Sequence, residues 1–360
     1  TSDTCVINNI ARIVDVDIVR DIIIAFGGNV KFTSGHSVQI NAQTLTQASL
    51  EQMETFSGRS RIPILTCGPM LARTGHVIVP ALGGCQIGDR PIDFHIEALK
   101  ALGARVEAHE THIEMFADRL HGTKIRLPYP SVGATEQVLL ASVLADGITE
   151  ISNAAIEPEV TDLIAVLQKM GAIISVDTHR VITIHGVEKL SGFKHKALPD
   201  RLEAASWACL AAATNGRIFV RGAEQMIMMT FLNAFRQAGG AFDVRDNGIE
   251  FWRAGKTLQA MALETDVHPG FMTDWQQPFV VMLTQAEGLS VMHETVYEGR
   301  FGYVEALKSM GARIQLYQRC LGQISCRFAN RNALHSAVIA GPRVLRGAEI
   351  YIPDLRGGFS

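Results

Sequence analysis

The residues best suited to chemistry stand in Gly83-Gly84-Cys85-Gln86-Ile87-Gly88-Asp89-Arg90-Pro91-Ile92-Asp93, one thiol in a glycine-rich loop beside an arginine. Glycines on both sides of Cys85 let the backbone turn sharply and move, and the Arg90 guanidinium can hold an anion and favour the thiolate. A lone cysteine is more often structural, so the loop needs a second line of support. Helix starts offer one. Ser60-Arg61, Ser131-Val132-Gly133-Ala134-Thr135, Asp200-Arg201-Leu202-Glu203, Thr273-Asp274 and Asp354-Leu355-Arg356 each pair a capping-type residue with an apolar run. The free N–H groups and positive dipole end of a helix attract anions, so several such termini converging would bind phosphates. Any one of them alone is ordinary capping.

Bulk composition narrows the classes. The chain has 360 residues, 47% of them hydrophobic, and a formal net charge of -3. Such a length buries a large core and predicts two domains. Without a long basic run there is no electrostatic footprint for nucleic acid or a membrane surface. No apolar stretch reaches the length of a bilayer span, and Thr1-Ser2-Asp3 does not open a charged-then-apolar signal segment, so a soluble, cytoplasmic protein is expected. Six cysteines, at 5, 67, 85, 209, 320 and 326, lack the density of a secreted disulfide scaffold and include no CxxC pair of the zinc-binding kind. Cys320 and Cys326 could pair, although reduced thiols are expected in a cytoplasm.

Internal repetition organises the elements that must position these residues. Phe26-Gly27-Gly28-Asn29-Val30, Leu102-Gly103-Ala104-Arg105-Val106, Met170-Gly171-Ala172-Ile173-Ile174, Ala238-Gly239-Gly240-Ala241-Phe242 and Met310-Gly311-Ala312-Arg313-Ile314 each read as a helix end, a glycine cap and a strand start. Helical runs ending near Gly75, Gly147, Gly216 and Gly288 form a second comb between them. Each unit of about 70 residues thus carries two helices with strands between, longer than the common solenoid repeats. The ends do not complete the pattern. Thr4-Cys5-Val6-Ile7-Asn8 resembles the mid-unit Thr149-Glu150-Ile151-Ser152-Asn153, and Pro353-Asp354-Leu355-Arg356 resembles the helix start Leu198-Pro199-Asp200-Arg201. Parts of six units are expected, with roughly one unit's worth absent across the two ends.

At this point the chain resembles the UDP-N-acetylglucosamine 1-carboxyvinyltransferase family of enolpyruvyl transferases. Six phrases carry the resemblance, in the family's order and across nearly the whole chain. They are Gly83-Gly84-Cys85-x-Ile87-Gly88-x-Arg90-Pro91-x-Asp93-x-His95, Pro130-Ser131-Val132-Gly133-Ala134-Thr135-Glu136, Pro199-Asp200-Arg201-x-Glu203, His268-Pro269-Gly270-Phe271-x-Thr273-Asp274, Glu294-Thr295-Val296-Tyr297-Glu298-x-Arg300-Phe301 and Pro353-Asp354-Leu355-Arg356. The resemblance implies an α/β fold of two inside-out barrels, each built from βαβαββ-like units with helices buried at the centre, joined by a hinge and closing over substrate. The domains would be 1–198, carrying the Cys85 loop, and 199–360. Leu139-Leu140-Ala141-Ser142-Val143-Leu144-Ala145, apolar nearly all round, suits such a buried helix.

The implied reaction transfers the enolpyruvyl group of phosphoenolpyruvate to the 3'-hydroxyl of UDP-N-acetylglucosamine and releases phosphate, opening peptidoglycan precursor synthesis. It implies two small-molecule substrates and no metal or redox cofactor, nucleic acid or membrane partner. Cys85 matches the mobile-loop cysteine that acts as the acid at C3 and is alkylated by fosfomycin. Asp274 matches the aspartate beside the sugar hydroxyl, the candidate base. Arg61, Arg90 and Arg356 match cationic positions on the carboxylate and phosphate, a task suited to a planar guanidinium fork, and Asp354 of the last phrase is carried over with them. Ser131, Val132 and Gly133 match a nucleotide-binding turn, Asp93 a uracil-side contact, and Val296 and Arg300 the sugar and closure region. His95 and His268 are expected to hold loops.

Departures accompany the match. The family's lysine of the opening helix and its late arginine have no position here, Gly299 stands where asparagine is common, and the segment between Tyr317 and Val344 reads as an extended hairpin. Other readings are a shikimate-type or nucleoside-modifying enolpyruvyl transferase, and an inactive relative that binds a UDP-sugar. The Cys85 loop and the Ser131 turn argue against the shikimate branch.

Overall fold

The computed structural model describes residues 3–84, 87, 88, 90–324 and 326–351. The chain divides into two compact units, Thr1–Gly84 with Pro91–Leu198, and Cys85–Arg90 with Pro199–Ser360.

In the first unit a helix followed by an antiparallel hairpin recurs three times. Helix Val14–Ala25 leads into Asn29–Ser34 and Ser37–Asn41, helix Asp93–Ala101 into Arg105–Ala108 and His112–Phe116, and helix Pro158–Lys169 into Ile173–Val176 and Ile182–His185. The second unit repeats this with Met229–Gln237 before Gly240–Arg245 and Gly248–Arg253, and with Val304–Ser309 before Arg313–Tyr317 and Ser336–Gly341. The first glycine comb is therefore a comb of left-handed helix caps, with φ between 82° at Gly27 and 103° at Gly311. The second comb holds at Gly75, Gly147 and Gly288. At its third tooth, Asn215 takes the left-handed turn in place of Gly216, since asparagine reaches that region at the least cost of any side chain after glycine.

Strand Cys5–Asn8 pairs in parallel with Lys194–Lys196, Val6 opposite Lys194, and antiparallel with Ser37–Asn41. The two extremes of the first unit thus meet in one sheet. The expected likeness of this strand to the mid-unit segment holds one residue out of register: the left-handed residue is Asn9 at φ 62°, not Asn8, where Ile148–Ser152 runs into Asn153 at φ 58°. The sheets are open, with three to five strands each, and among the described residues none closes into a barrel.

Helices are buried inside each unit, as the resemblance implies. In helix Val132–Ser142 the side chains of Ala134, Val138, Leu139 and Ala141 are fully buried, and Val143 and Ala145 continue the burial past its end. A Cβ at Gly68 would lie 2.8 Å from the Ala141 nitrogen, so glycine lets helix Cys67–Thr74 approach this helix closely. In the second unit the alanine-rich helix Arg201–Ala213 packs on Gln276–Leu283, beside an aromatic cluster of Phe231, Phe271, Trp275 and Phe279. No helix among the described residues is long and apolar enough to cross a membrane.

Candidate active site

Asp274 lies in the short 3-10 turn Thr273–Trp275 that feeds helix Gln276–Leu283. The capping expected of Thr273-Asp274 does not occur, because Met272 precedes the turn and no side chain caps it. Both side chains point to other work. The Thr273 hydroxyl donates to Glu294 Oε2 at 2.9 Å, and Asp274 Oδ1 accepts from Arg300 Nη2. The same Arg300 nitrogen donates to Gln277 Oε1 at 3.1 Å. Arg300 is 2% exposed, whereas the Asp274 side chain keeps 16%, so the carboxylate is the reachable end of the pair.

Glu294 stitches this turn to the next phrase of the chain. It follows strand Ala286–His293 and is fully buried. Its Oε2 accepts from Thr273 and from Gln276 Nε2 at 3.0 Å, while Oε1 accepts the backbone N–H groups of Val296 at 2.8 Å and Tyr297 at 3.1 Å. Burial pushes its carboxyl above the ordinary range, against the pull of these N–H donors, Arg300 and Thr273. Sequence reading gave Glu294 no role. Its only signal is a carboxylate directly after an eight-residue strand, where the burial that makes it matter is set by tertiary packing.

The turn after Glu294 is braced on other sides. Arg90 places its guanidinium 5.7 Å from the centroid of the Tyr297 ring. The Gly299 N–H donates to Ile87 O at 3.1 Å, and Arg327 donates to Val296 O. A Cβ at Gly299 would stand 3.0 Å from the Ile87 carbonyl carbon and 3.1 Å from the Gly88 nitrogen. Glycine is what lets the segment after Cys85 lie against this turn. Asp274, Arg300, Val296 and Arg90 are thereby gathered in the second unit.

The other predicted residues gather in the first unit around His95. Arg61 donates to Pro91 O at 2.8 Å, and Asp93 stands exposed in the first turn of helix Asp93–Ala101. Ser131 does cap its helix, its Oγ accepting the Ala134 N–H at 3.3 Å, with Val132 and Gly133 partly exposed in the first turn. A Cβ at Gly133 would meet the His95 ring at 3.1 Å. Burial, reinforced by the nearby Arg61 charge, lowers the His95 pKa to about 4, so the ring is neutral at physiological pH. That agrees with a histidine that holds a loop.

Cys85, Asp354 and Arg356 lie outside the described residues. Of the other thiols, Cys67 and Cys209 are fully enclosed and burial pushes both upward, which makes them poor nucleophiles.

Comparison with solved structures places the fold among the enolpyruvyl transferases. The enolpyruvyl transferase NikO from Streptomyces tendae superposes with a TM-score of 0.81 at 20% identity, over 95% of this chain and 77% of that one. An EPSP synthase from Acinetobacter baumannii follows at 0.65 and 16%, with the same coverage. The family described as EPSP synthase (3-phosphoshikimate 1-carboxyvinyltransferase) matches residues 1–359, and the chain belongs to that family. Among its relatives, the UDP-N-acetylglucosamine 1-carboxyvinyltransferase of Protochlamydia amoebophila is 50% identical over 99% of this chain and 78% of its own length. Its namesakes in Chlamydia abortus and Gluconobacter oxydans are 46% and 36% identical, over 99% and 100% of this chain and 80% and 82% of theirs.

Proposed function

We propose that the protein transfers the enolpyruvyl group of phosphoenolpyruvate to the 3'-hydroxyl of UDP-N-acetylglucosamine and releases phosphate, acting in the cytoplasm at the start of peptidoglycan precursor synthesis. The observation that carries this reading is the 50% identity, over 99% of the chain, to a relative of that name.

In the addition step the sugar oxygen bonds to C2 of phosphoenolpyruvate and gives its proton to Asp274, while C3 takes a proton from the Cys85 thiol. In the elimination step C3 returns a proton and the C2–O bond to phosphate breaks, leaving the enolpyruvyl ether and phosphate. Asp274 suits a base because Arg300, itself held by Gln277, fixes its orientation while it stays partly exposed. Arg90 would hold an anionic group of phosphoenolpyruvate by paired hydrogen bonds, and the family resemblance gives Arg61, Arg356 and Asp354 to substrate binding as well. On the nucleotide side, the Ser131–Gly133 helix start offers N–H groups to the diphosphate, and Asp93 would meet the uracil.

Phosphate release tests the reading. With phosphoenolpyruvate present, UDP-N-acetylglucosamine should support turnover and shikimate 3-phosphate should not. Release with shikimate 3-phosphate alone would assign the chain to the other branch of the family, and release with neither would favour an inactive relative.

A further inference from the structure

The long loop between strands Arg313–Tyr317 and Ser336–Gly341 takes no part in the reaction described above. It carries Cys320 and Cys326 to the end of the sheet, where His335 precedes one strand and His293 closes its neighbour, Ala286–His293. One donor atom from each of these four residues lies within 4.8 Å of the other three. We propose that His293, Cys320, Cys326 and His335 bind a zinc ion.

The outer partners of the histidines point the same way. His293 is fully buried; its Nδ1 lies 3.1 Å from Glu264 Oε2, and its Nε2 has no hydrogen-bond partner. An unpaired ring nitrogen in the interior is costly unless something fills its lone pair. His335, also fully buried, has Nδ1 2.8 Å from Ala333 O and Nε2 3.3 Å from Cys320 Sγ. In both rings a carboxylate or carbonyl accepts the Nδ1 proton and leaves Nε2 as the donor atom, the arrangement that orients metal-binding imidazoles. Cys326 Sγ accepts the Phe328 N–H at 3.2 Å, which fixes the position of the sulfur.

Chemistry and size then select the ion. Two thiolates with two imidazoles are a tetrahedral set that suits zinc, and the two negative charges balance Zn2+. Bonds of about 2.3 Å to sulfur and about 2.0 Å to nitrogen place such donors roughly 3.3–3.8 Å apart. The Cys320 to His335 separation already falls there, and none of the others exceeds 4.8 Å. Two thiol protons leave as the ion binds.

Four protein ligands leave no open position, so the ion is structural. It would staple the loop to the sheet beside Glu264, whose carboxylate also accepts the N–H groups of Gln323 and Ile324 at 2.7 and 2.8 Å. Arg327, next to Cys326, reaches Val296, so the staple steadies a turn on the active-site side as well.

Metal analysis of the intact chain, purified without a histidine tag or chelator and under reducing conditions, should find about one zinc per chain. Cys326→Ser and His293→Gln should lose it, whereas Cys209→Ala, altering a thiol outside the cluster, should keep it. Should those variants fail to fold, cobalt titration of the metal-stripped native chain decides. It should yield the ligand-field and sulfur-to-cobalt charge-transfer bands of a tetrahedral two-sulfur site. Protein that carries no zinc as isolated and gives no such bands, or that shows a Cys320–Cys326 disulfide as its native state, would overturn the proposal.

Discussion

Asp274 draws its suitability as a base from Arg300, which Gln277 holds in place, and from the exposure it retains beside that buried guanidinium. Asp274→Asn should reduce turnover by about 100-fold or more, with UDP-N-acetylglucosamine still binding in calorimetry. Near-normal turnover would reduce the carboxylate to a structural partner of Arg300. Glu294 answers to a different measurement. Replacing it by alanine strips partners from Thr273, Gln276, Val296 and Tyr297 together, and should lower unfolding stability by about 3 kcal/mol, read from the denaturant midpoint. Glu294→Gln should lose less, since one end of the amide still accepts. The phrases holding these residues were legible in the sequence, but their grouping was not: the Cys85 loop with Arg90, expected in the first domain, groups with the second unit. The bond pattern of Glu294 was not legible either, because Thr273 and Gln276 lie 21 and 18 positions upstream and meet it only when strand and helix pack.

The helix-to-hairpin junctions could be read at the scale of elements, because a left-handed cap after a helix strongly favours glycine and so leaves a mark in the chain. Where the mark failed, at Gly216, the preceding asparagine had taken the conformation. The packing of open sheets around buried helices left no such mark of its own and came with the family resemblance, which the fold bears out among the described residues. Gly299 belongs to this scale too. Sequence comparison offered it only as a departure from asparagine, whereas in the structure it is the contact point of two segments. Gly299→Ala should force Ile87 and Gly88 away, since a backbone cannot yield as a side-chain tip can. Hydrogen exchange at the position-299 amide, which donates to Ile87 O, should then speed up. Unchanged protection would mean that the segment accommodates a methyl group.

Across the whole molecule, two groups in the first unit set opposite limits on stability with pH. His95 has its pKa lowered from 6.5 to about 4, so the unfolded chain binds the extra proton and stability is lost as pH falls through that window. Glu136 has its pKa raised from 4.5 to about 7, chiefly by burial and then by Glu159 and Glu157. Here the folded chain holds the proton, and stability is lost as pH rises from about 4.5 to about 7. Melting curves of Glu136→Gln should therefore show a gain at pH 8 that vanishes near pH 4, and His95→Gln should flatten the acid limb. At this scale the Cys–His cluster could not be anticipated. Its ligands come from a loop and two paired strands, so no short spacing announces them. The central claim concerns the reaction, and the product tests it most directly. After incubation with 13C-labelled phosphoenolpyruvate and UDP-N-acetylglucosamine, NMR should show the labelled enolpyruvyl C2 bonded through oxygen to C3' of the sugar, with phosphate released in equal amount. Labelled phosphoenolpyruvate left intact, or the label attached at another position of the sugar, would contradict the account.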